Sequence, residues 1–377
     1  MSSISPPIGA GLIGCGKVGL THALAFASLP EARFVAACSR DAGKAAACAG
    51  RFGARAYTEV DALLADPAVQ MVSICTPQDS HAALAERCAR AGKHVLLEKP
   101  MSVDLAGCDR AIAACEAAGV TLGVVSQRRF YEPVQRVRQA IAAGKIGKPI
   151  LATMTVLSWR DRAYYAMDPW RGQWASEGGG VLLTQTSHQI DLFQWLMGPI
   201  DELFGYWGNL SHPYIEVEDT ALAILRFRSG ALGQILVSNC QKPGLYGKIH
   251  IHGDNGASVG VQTDGGATFI SGISTHVDPP VNDLWTVPGE EHLLAQWQGE
   301  DRARAETQDV MTHYHRLQIE DFVRALIEGR EPALPGHEGR KHVEVFCAIY
   351  RAQRDGRPIR FPLDAADNAH FDGRLPA

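Results

Sequence analysis

The first 125 residues alternate short runs of β-forming residues with alanine-rich helical runs. This alternation predicts parallel strands, because two strands that run in the same direction need a long crossover connection, which is usually a helix. The first repeat places a strand over residues 8–13 and a helix over residues 17–28, and the last strand of the series covers residues 121–125. We therefore predict an α/β fold that begins with a parallel sheet covered by helices.

Three glycines stand where the first strand passes into the first helix, at Gly14, Gly16 and Gly19. In a dinucleotide site the first permits a tight turn, the second lets the backbone approach a pyrophosphate, and the third lets the helix pack close to the strand. Glycine-rich turns occur in other α/β proteins too, but the strands and the helix around this one favour a Rossmann dinucleotide-binding domain, residues 1–126. The intervening residues are expected to line the same cofactor site: Cys15, Lys17 and Val18.

The end of the second predicted strand bears on the choice between NAD and NADP. An acidic residue there usually binds the ribose 2′-hydroxyl of NAD, whereas an arginine nearby pairs with the 2′-phosphate of NADP. This chain has Ser39 and Arg40 directly after the strand, followed by Asp41. We therefore predict a preference for NADP. The alternative is NAD, with Asp41 on the ribose and Arg40 in solvent.

The pattern changes after residue 126. Alternating segments lie at residues 151–159, 202–209, 220–227, 231–238 and 248–252, with turn sequences at Ser229-Gly230, Asp254-Asn255-Gly256 and Asp264-Gly265. These hairpin signals predict an α+β domain with a large, mainly antiparallel open sheet over residues 127–377. A helical stripe over residues 312–328 is expected to pack against one of the two domains, and residues 272–308 have a loop-like pattern.

Charge and cysteine usage exclude several classes of protein. The chain has 36 Lys and Arg against 41 Asp and Glu, a formal net charge of −5, without long runs of one sign. It therefore lacks the basic surface that binds nucleic acid or anionic membranes. The nine cysteines form no Cys-x-x-Cys motif, and neither a secretory signal nor a membrane-spanning run is visible. We expect reduced thiols and a cytoplasmic location.

The strand predicted at residues 95–97 ends in Glu98-Lys99-Pro100. Open α/β sheets bind their ligands at the carboxyl ends of the strands, so Lys99 is well placed to give or take a proton at a carbonyl or hydroxyl oxygen. An isolated Glu-Lys-Pro sequence would more often be a surface turn. Here it is accompanied by other motifs.

Together these motifs make the sequence similar to the Gfo/Idh/MocA family of oxidoreductases. Beside the glycine turn and Glu98-Lys99-Pro100, the matching segments are Cys75-Thr76-Pro77 with His81, Gly92-Lys93-His94-Val95, Trp170-Arg171-Gly172, Gly178-Gly179-Gly180 and His188-Gln189-Ile190-Asp191. The resemblance spans the Rossmann domain and the first part of the second domain. It implies an NAD(P)-dependent enzyme that transfers a hydride to or from a carbinol or ketone carbon of a sugar, cyclitol or related polyol. It also implies a homodimer or homotetramer formed through the carboxyl-terminal sheet.

The resemblance implies particular roles for residues of the second domain. In such enzymes the lysine of Glu-Lys-Pro assists proton transfer, together with an Asp and a His four residues apart on a helix. The corresponding positions are Thr184 and His188, so the histidine matches and the aspartate does not. A spacing of four places both side chains on one helical face. We expect Lys99 and His188 to share the proton transfer, with Thr184 bound to the substrate. Asp191 is expected to orient His188 or contact the substrate. The alternative is that its carboxylate pairs with an arginine or a backbone group.

The aromatic and arginine-rich segment at residues 159–174 suits the lid or wall of a polar pocket, although some of its aromatic rings are expected to pack on the sheet. The expected substrate contacts are Arg129, Tyr165, Trp170, Thr184 and Asp191. The expected cofactor contacts outside the glycine turn are Ser39, Arg40, Cys75, Thr76, Pro77, His81, Glu98, Lys99, Gln127, Trp170 and Arg171. A neutral sugar is the main substrate hypothesis, and the arginines leave a sugar acid or nucleotide sugar as the alternative.

Two other interpretations stay open at this point. The pairs His250-x-His252 and His313-x-His315 resemble metal ligands, but two histidines without a third ligand are more often ordinary residues of a sheet, so we predict no metal site. The threonine at position 184 leaves a non-catalytic nicotinamide-binding regulator as the alternative function. Among enzymes, a dihydrodiol dehydrogenase is the alternative.

Overall fold

The computed structural model describes residues 4–263 and 279–363. The chain divides into two compact units, which we describe separately. The amino-terminal unit comprises Met1–Gln127 and Val310–Arg340, and the carboxyl-terminal unit comprises Arg128–Asp309 and Lys341–Ala377.

The amino-terminal unit contains a six-stranded sheet in which all pairs of described strands are parallel. Its first elements are β1 (Ile8–Ile13), α1 (Lys17–Ser28), β2 (Ala32–Cys38), α2 (Ala42–Phe52), β3 (Arg55–Tyr57), α3 (Val60–Leu64), β4 (Met71–Ile74), α4 (His81–Arg90), β5 (His94–Leu97), α5 (Leu105–Ala118) and β6 (Leu122–Val124). The strand order β3-β2-β1-β4-β5-β6 confirms the predicted Rossmann fold. Because β1 lies between β2 and β4, the carboxyl ends of β1 and β4 form the switch point at which such sheets bind ligands.

The carboxyl-terminal unit contains an eight-stranded mixed sheet of order β13-β12-β11-β7-β10-β9-β8-β14 within the described residues. Its elements up to residue 307 are α6 (Glu132–Ala142), β7 (Pro149–Leu157), α7 (Arg162–Ala166), α8 (Trp174–Glu177), α9 (Ser187–Met197), β8 (Ile200–Gly208), β9 (Thr220–Phe227), β10 (Leu232–Ser238), β11 (Tyr246–Gly253), β12 (Ser258–Thr263), β13 (Val281–Trp285) and α10 (Leu293–Thr307). Two later helices and a strand complete the described chain: α11 (Val310–Glu328), α12 (Gly336–Asp355) and β14 (Ile359–Arg360).

The predicted antiparallel character of this sheet is confirmed, apart from one parallel pair between β7 and β10. Two of the predicted hairpin turns join β9 to β10 and β11 to β12. Gly230 and Gly256 in these turns have φ of +90° and +87°, which a glycine adopts without steric cost. The third predicted turn, Asp264-Gly265, lies outside the described residues.

The loop predicted over residues 272–308 is wrong where the structure describes it. Residues 281–285 form β13 and residues 293–307 form α10. The sequence pattern does not predict this helix, because it has no apolar stripe and its one buried residue is Asp301. Arg136 forms an ion pair with Asp301 at 2.7 Å, and its guanidinium lies 5.0 Å from the ring centre of Trp297. Long-range polar contacts therefore hold this helix in place.

The helix predicted over residues 312–328 is present as α11, and it belongs to the amino-terminal unit. Residues 127–377 therefore do not form one continuous unit, in contrast to the predicted division. Phe322 and Leu326 lie in the same buried cluster as Leu12 and Phe26, so burial of apolar surface brings this late helix onto the first helix of the sheet. Among the described residues, no helix has both the length and the apolar character needed to cross a membrane.

Candidate active site

The glycine turn between β1 and α1 is closely packed around two of its glycines. Gly14 has φ of +103°, and a Cβ at this position would lie 2.6 Å from the carbonyl oxygen of Cys75. A Cβ on Gly19 would overlap the carbonyl oxygen of Gly14. In contrast, a Cβ on Gly16 would meet no atom of the described residues within 4 Å. The turn is therefore open at its middle glycine.

This open side suits the pyrophosphate of a dinucleotide. No side chain caps the first turn of α1, and no acidic residue lies in it. The backbone N–H groups and the helix dipole therefore attract an anion, and the space at Gly16 lets it approach the backbone. Cys15, Lys17 and Val18 belong to the same turn or to the start of α1. The residues present thus fit a dinucleotide cofactor.

The polar residues after β2 have different roles. The Asp41 carboxylate accepts the backbone N–H of Lys44 at 3.1 Å and so caps α2. The backbone N–H of Asp41 donates to the Ser39 hydroxyl oxygen at 3.2 Å. Arg40 is exposed. One carboxylate oxygen of Asp41 is therefore used by its own helix, while the guanidinium of Arg40 lies at the surface.

His81 joins the segments that follow β4 and β5. Its Nδ1 lies 2.8 Å from the carbonyl oxygen of Pro100, and its Nε2 lies 2.8 Å from that of Thr76. The ring is buried, and this burial lowers the pKa of His81 although the two carbonyl groups oppose the shift. His81 was expected to contact the cofactor. Because both ring nitrogens contact the backbone, His81 positions the Cys75-Thr76-Pro77 segment against the segment around Lys99, and its contact with the cofactor stays a prediction.

Glu98 is also held inside the amino-terminal unit. Its Oε1 lies 3.0 Å from His22 Nε2 and 3.7 Å from His315 Nε2, and its Oε2 accepts the backbone N–H of Lys99 at 3.0 Å. Burial alone would raise the pKa of Glu98, but the hydrogen bond with His22 and the nearby ring of His315 outweigh it and hold the pKa well below its usual range. Glu98 was predicted as a cofactor contact. Its Oε2 fixes the backbone at Lys99, and the cofactor contact stays a prediction.

Sequence reasoning missed this use of His22 and His315. His22 Nδ1 lies 2.7 Å from the Ser73 hydroxyl, and burial lowers the pKa of His22, opposed by Glu98. A neutral His22 therefore donates from Nε2 to Glu98 and accepts at Nδ1. His315 comes from α11, far along the chain, and was considered only as a metal ligand. The sequence signal for this role was a histidine on the buried face of each helix, α1 for His22 and α11 for His315.

Gln127 is buried, and its amide oxygen has no hydrogen-bond partner among the described residues. A buried acceptor without a donor costs about 1–3 kcal/mol. A donor group on a bound cofactor or substrate would remove this cost. The predicted cofactor contact at Gln127 therefore fits the structure.

In the carboxyl-terminal unit, Thr184 and His188 lie on different segments. Thr184 belongs to a π-helical turn, Val181–Gln185, whereas the buried His188 lies in the first turn of α9. Thr186 lies between the two segments, and its φ of −114° and ψ of 4° are not those of an α-helix. The spacing of a regular α-helix is therefore not kept between these two positions, and a shared helical face stays a prediction.

Two buried glutamates hold the segment around the triple glycine, and sequence reasoning missed both. Glu218 accepts the N–H groups of Gly180 and Leu182 at 2.9 and 3.0 Å and the Tyr350 hydroxyl at 2.8 Å. Glu177 accepts the Thr184 hydroxyl at 2.7 Å. Burial raises the pKa of each carboxyl to about 7. The signal in the sequence was a glutamate directly before the three glycines.

Arg129 and Asp191 form a buried bidentate ion pair. Arg129 Nε and Nη2 donate to the two carboxylate oxygens of Asp191 at 2.9 and 2.6 Å. The side chains are 7% and 3% exposed, and the guanidinium lies 5.0 Å from the ring centre of Trp195. Both residues were expected to contact the substrate. Their paired groups instead bind each other, which is the alternative considered for Asp191.

The aromatic segment packs largely within its own unit. Tyr165 is buried, its hydroxyl accepts a hydrogen bond from Asn239 at 2.7 Å, and burial raises its pKa. Arg171 donates to Asp168 at 3.1 Å, and its guanidinium lies 4.3 Å from the ring centre of the half-buried Trp170. The predicted ligand contacts Tyr165 and Arg171 therefore have internal partners.

The histidines of the first pair, His250 and His252, contact different residues. His250 Nε2 contacts Asp283, whereas His252 Nδ1 contacts Ser258. Two other groups of described residues bring ligand atoms within 4.8 Å of one another: His22, Glu98 and His315, and His212, Asp219 and Cys240. In the second group His212 contacts Asp219 through Nδ1 at 2.8 Å and the Arg160 carbonyl oxygen through Nε2 at 2.7 Å. The predicted lack of a metal stays a prediction.

Two family models match the chain. Residues 8–126 match the oxidoreductase family with an NAD-binding Rossmann fold, and residues 134–259 match the GFO/IDH/MocA C-terminal domain.

Curated relatives and solved structures agree with these models. The inositol 2-dehydrogenase of Rhizobium meliloti (strain 1021) is 28% identical over 367 residues, 93% of this chain and 98% of that protein. The myo-inositol 2-dehydrogenase of Thermotoga maritima is 32% identical over 251 residues, 65% of this chain and 73% of that protein. The structure of the WlbA dehydrogenase from Bordetella pertussis in complex with NADH and UDP-GlcNAcA matches with a TM-score of 0.84 and 31% identity, over 97% of this chain and 100% of that one. This chain belongs to the Gfo/Idh/MocA family of oxidoreductases.

Proposed function

We propose that the protein transfers a hydride between a nicotinamide dinucleotide and a carbinol or ketone carbon of a sugar, cyclitol or related polyol. The observation that carries this proposal is the open glycine turn at Gly16, in the same unit as a lysine whose backbone is held by a buried carboxylate. When bound, the cofactor accepts or supplies the hydride. Lys99 and His188 exchange the proton of the reacting hydroxyl, which is general acid–base work.

The substrate is proposed to be a neutral polyol. Two relatives are named for inositol, and the WlbA structure is described as a complex with a nucleotide sugar acid. Binding of an acidic sugar would call for an arginine whose paired donors face a carboxylate. In the carboxyl-terminal unit Arg129 uses its paired donors on Asp191, and Arg171 donates to Asp168. This internal use favours the neutral class.

A substrate panel tests this function. The purified protein would be incubated with NAD or NADP and inositols, aldoses, dihydrodiols, sugar acids and UDP-sugar acids, and the nicotinamide absorbance would be followed. We expect turnover with at least one neutral sugar or cyclitol. Turnover confined to the acids would overturn the substrate class, and cofactor binding without any turnover would favour a regulator.

The cofactor is proposed to be NADP. Support comes from the exposed Arg40 after β2 and from the capping role of Asp41, which leaves fewer acceptors for a ribose hydroxyl. The competing observation is that the WlbA dehydrogenase structure is a complex with NADH. A 2′-phosphate near Arg40 would gain a charge-assisted hydrogen bond that NAD lacks.

Arg40→Ala tests the cofactor choice. We expect kcat/KM with NADP to fall about tenfold to a hundredfold, the effect of losing one hydrogen bond to a charged group, while kcat/KM with NAD changes little. Steady-state rates with both cofactors measure this, and Arg33→Ala on the exposed side of β2 is the control. An NAD preference that is the same in wild type and R40A would contradict the assignment.

The protein is further proposed to form a homo-oligomer through the exposed face of the carboxyl-terminal sheet, and to reside in the cytoplasm, where its nine free cysteines stay reduced. On this face Leu222 and Ile224 are 45% and 65% exposed, and their pairing partners on β8 include Tyr206, which is 58% exposed. Adjacent exposed apolar side chains of this kind mark interaction surfaces.

Ile224→Glu tests the oligomer. We expect a dimer or tetramer for the wild type and dissociation towards the monomer for I224E, because the substitution would bury a charge in an apolar interface. Light scattering coupled to size-exclusion chromatography gives the mass. Met167→Glu, at a residue 44% exposed on another element, is the control. A monomeric wild type would refute the proposal.

A further inference from the structure

The side chains of Thr184 and Glu177 form a hydrogen-bonded pair in the carboxyl-terminal unit. The Thr184 hydroxyl donates to Glu177 Oε1 at 2.7 Å, and Glu177 Oε2 accepts the backbone N–H of Gly172 at 2.5 Å. Glu177 is 1% exposed, whereas Thr184 is half-buried. The threonine is therefore the outer member of the pair and the carboxylate the inner one.

A threonine cannot act as an ionised base, but it can pass a proton to one. Its hydroxyl has one hydrogen and an oxygen that also accepts. When the hydrogen is donated to Glu177, the oxygen is oriented as an acceptor for a second hydroxyl. The buried carboxylate then supplies the negative charge that the threonine lacks.

We infer that Glu177 is a positioning residue of the reaction and takes up the proton of the substrate hydroxyl through Thr184. This inference rests on the proposed function. In the oxidative direction the substrate C–H bond breaks as a hydride passes to the oxidised nicotinamide, and the C–O bond becomes a carbonyl. The hydroxyl proton is exchanged through Lys99 and His188, as proposed above, and passes on to Thr184 Oγ1, while the proton of Thr184 moves to Glu177. The substrate loses two electrons and the cofactor gains them, so the step is balanced.

The second buried glutamate does not have this arrangement. The contacts of Glu218 are two backbone N–H groups and the Tyr350 hydroxyl, and Tyr350 is itself fully buried. Glu218 therefore holds the turn that carries Thr184, whereas Glu177 contacts the half-buried hydroxyl. The two residues make a matched pair for an experiment, because both are buried carboxyls that hold the same segment.

The surroundings of Glu177 suit a group that changes its protonation state near neutral pH. Burial raises the pKa of Glu177 to about 7, while the Gly172 N–H, the Thr184 hydroxyl and the charge of Arg171 act in the opposite direction. Among the described residues, Tyr165 on α7 also interacts electrostatically with Glu177, and the carboxylate of Glu216 accepts the N–H of Trp174 at the start of α8. Below pH 7 the carboxyl is protonated and cannot accept another proton, so oxidation slows as the pH falls.

The pH profile of Glu177→Gln tests the inference on the best substrate of the panel. We expect kcat for oxidation to fall about a hundredfold above pH 8, within the usual range for general acid–base catalysis, and the decline below pH 7 to disappear. Thr184→Val should have the same effect. The double variant should be no slower than either single variant, because the two substitutions interrupt the same proton path. Thr184→Ser should recover most of the rate lost in T184V.

Controls separate this inference from folding and from the proposed function. Glu218→Gln should keep the decline near pH 7. Urea unfolding followed by circular dichroism should show that E177Q and T184V fold, and fluorescence titration should show that both still bind NAD(P)H. An unchanged pH profile in both variants would overturn the inference, as would a double variant whose losses multiply. A wild type without turnover on any compound would instead overturn the proposed function.

Discussion

Replacement of Lys99 by Met is expected to lower kcat by about 10²–10⁴-fold, the range typical for loss of a general acid–base group. Methionine keeps the length and apolar stem of the side chain but cannot exchange a proton. The backbone at position 99 should stay in place, because Glu98 binds its N–H and is itself held by His22 and His315. Cofactor affinity, measured by NAD(P)H fluorescence, should therefore change little while turnover is lost.

Lys93→Met is the matched control for this result. Lys93 directly precedes β5, whereas Lys99 follows its carboxyl end, so the two lysines flank the same strand. The Lys93 ammonium donates to the carbonyl oxygen of Val69 at 2.7 Å, a contact that stabilises a loop. K93M should keep a near-normal kcat in the folded protein. Near-normal turnover by K99M would remove Lys99 from the mechanism.

Asp191→Ala is expected to lower the free energy of unfolding by about 3–5 kcal/mol, because removal of one partner of a buried ion pair leaves the other charge buried without its counter-ion. Arg129 would lose two hydrogen bonds while its side chain is only 7% exposed. Urea unfolding followed by tryptophan fluorescence and circular dichroism measures the change. Substitution of both partners by apolar residues should be less harmful than D191A alone, since no charge is then left buried.

The surface pair of Arg87 and Asp61 provides the comparison. These residues are 2.7 Å apart, but their side chains are 41% and 82% exposed, so Asp61→Ala should cost no more than about 1 kcal/mol. A similar small cost for D191A, accompanied by a large rise in KM, would return Asp191 to the role of a substrate contact.

Prediction from the sequence succeeded where a local pattern sets the structure. The Rossmann strands and the hairpins at Gly230 and Gly256 follow from alternation and turn chemistry over a few residues. It failed for α10, which contacts Arg136 of α6 through Asp301 and Trp297 and has no apolar stripe. The interruption at Thr186 could not be predicted either. A π-helical turn of five residues is too short to show a recognisable periodicity in the sequence.

The same distinction applies to the candidate site. The roles of Gly14 and Gly19 were predicted because each depends on a backbone clash within one strand-turn-helix segment or its neighbouring strand. The partners of the charged residues were not predictable in this way. The partners of a carboxylate such as Glu98 are the groups that lie close to it in the folded chain. One of them, His315, lies on a helix near the other end of the sequence.

The sequence by itself determined the Rossmann sheet, the position of the dinucleotide turn and the membership of an oxidoreductase family, because these depend on contiguous motifs. Only the tertiary structure decided which titratable groups face one another. It paired Arg129 with Asp191, held Glu98 between two histidines, and put the buried carboxylate of Glu177 behind Thr184. The physical reason is that burial and hydrogen bonding act over a few ångströms, between residues whose separation along the chain does not limit their contact.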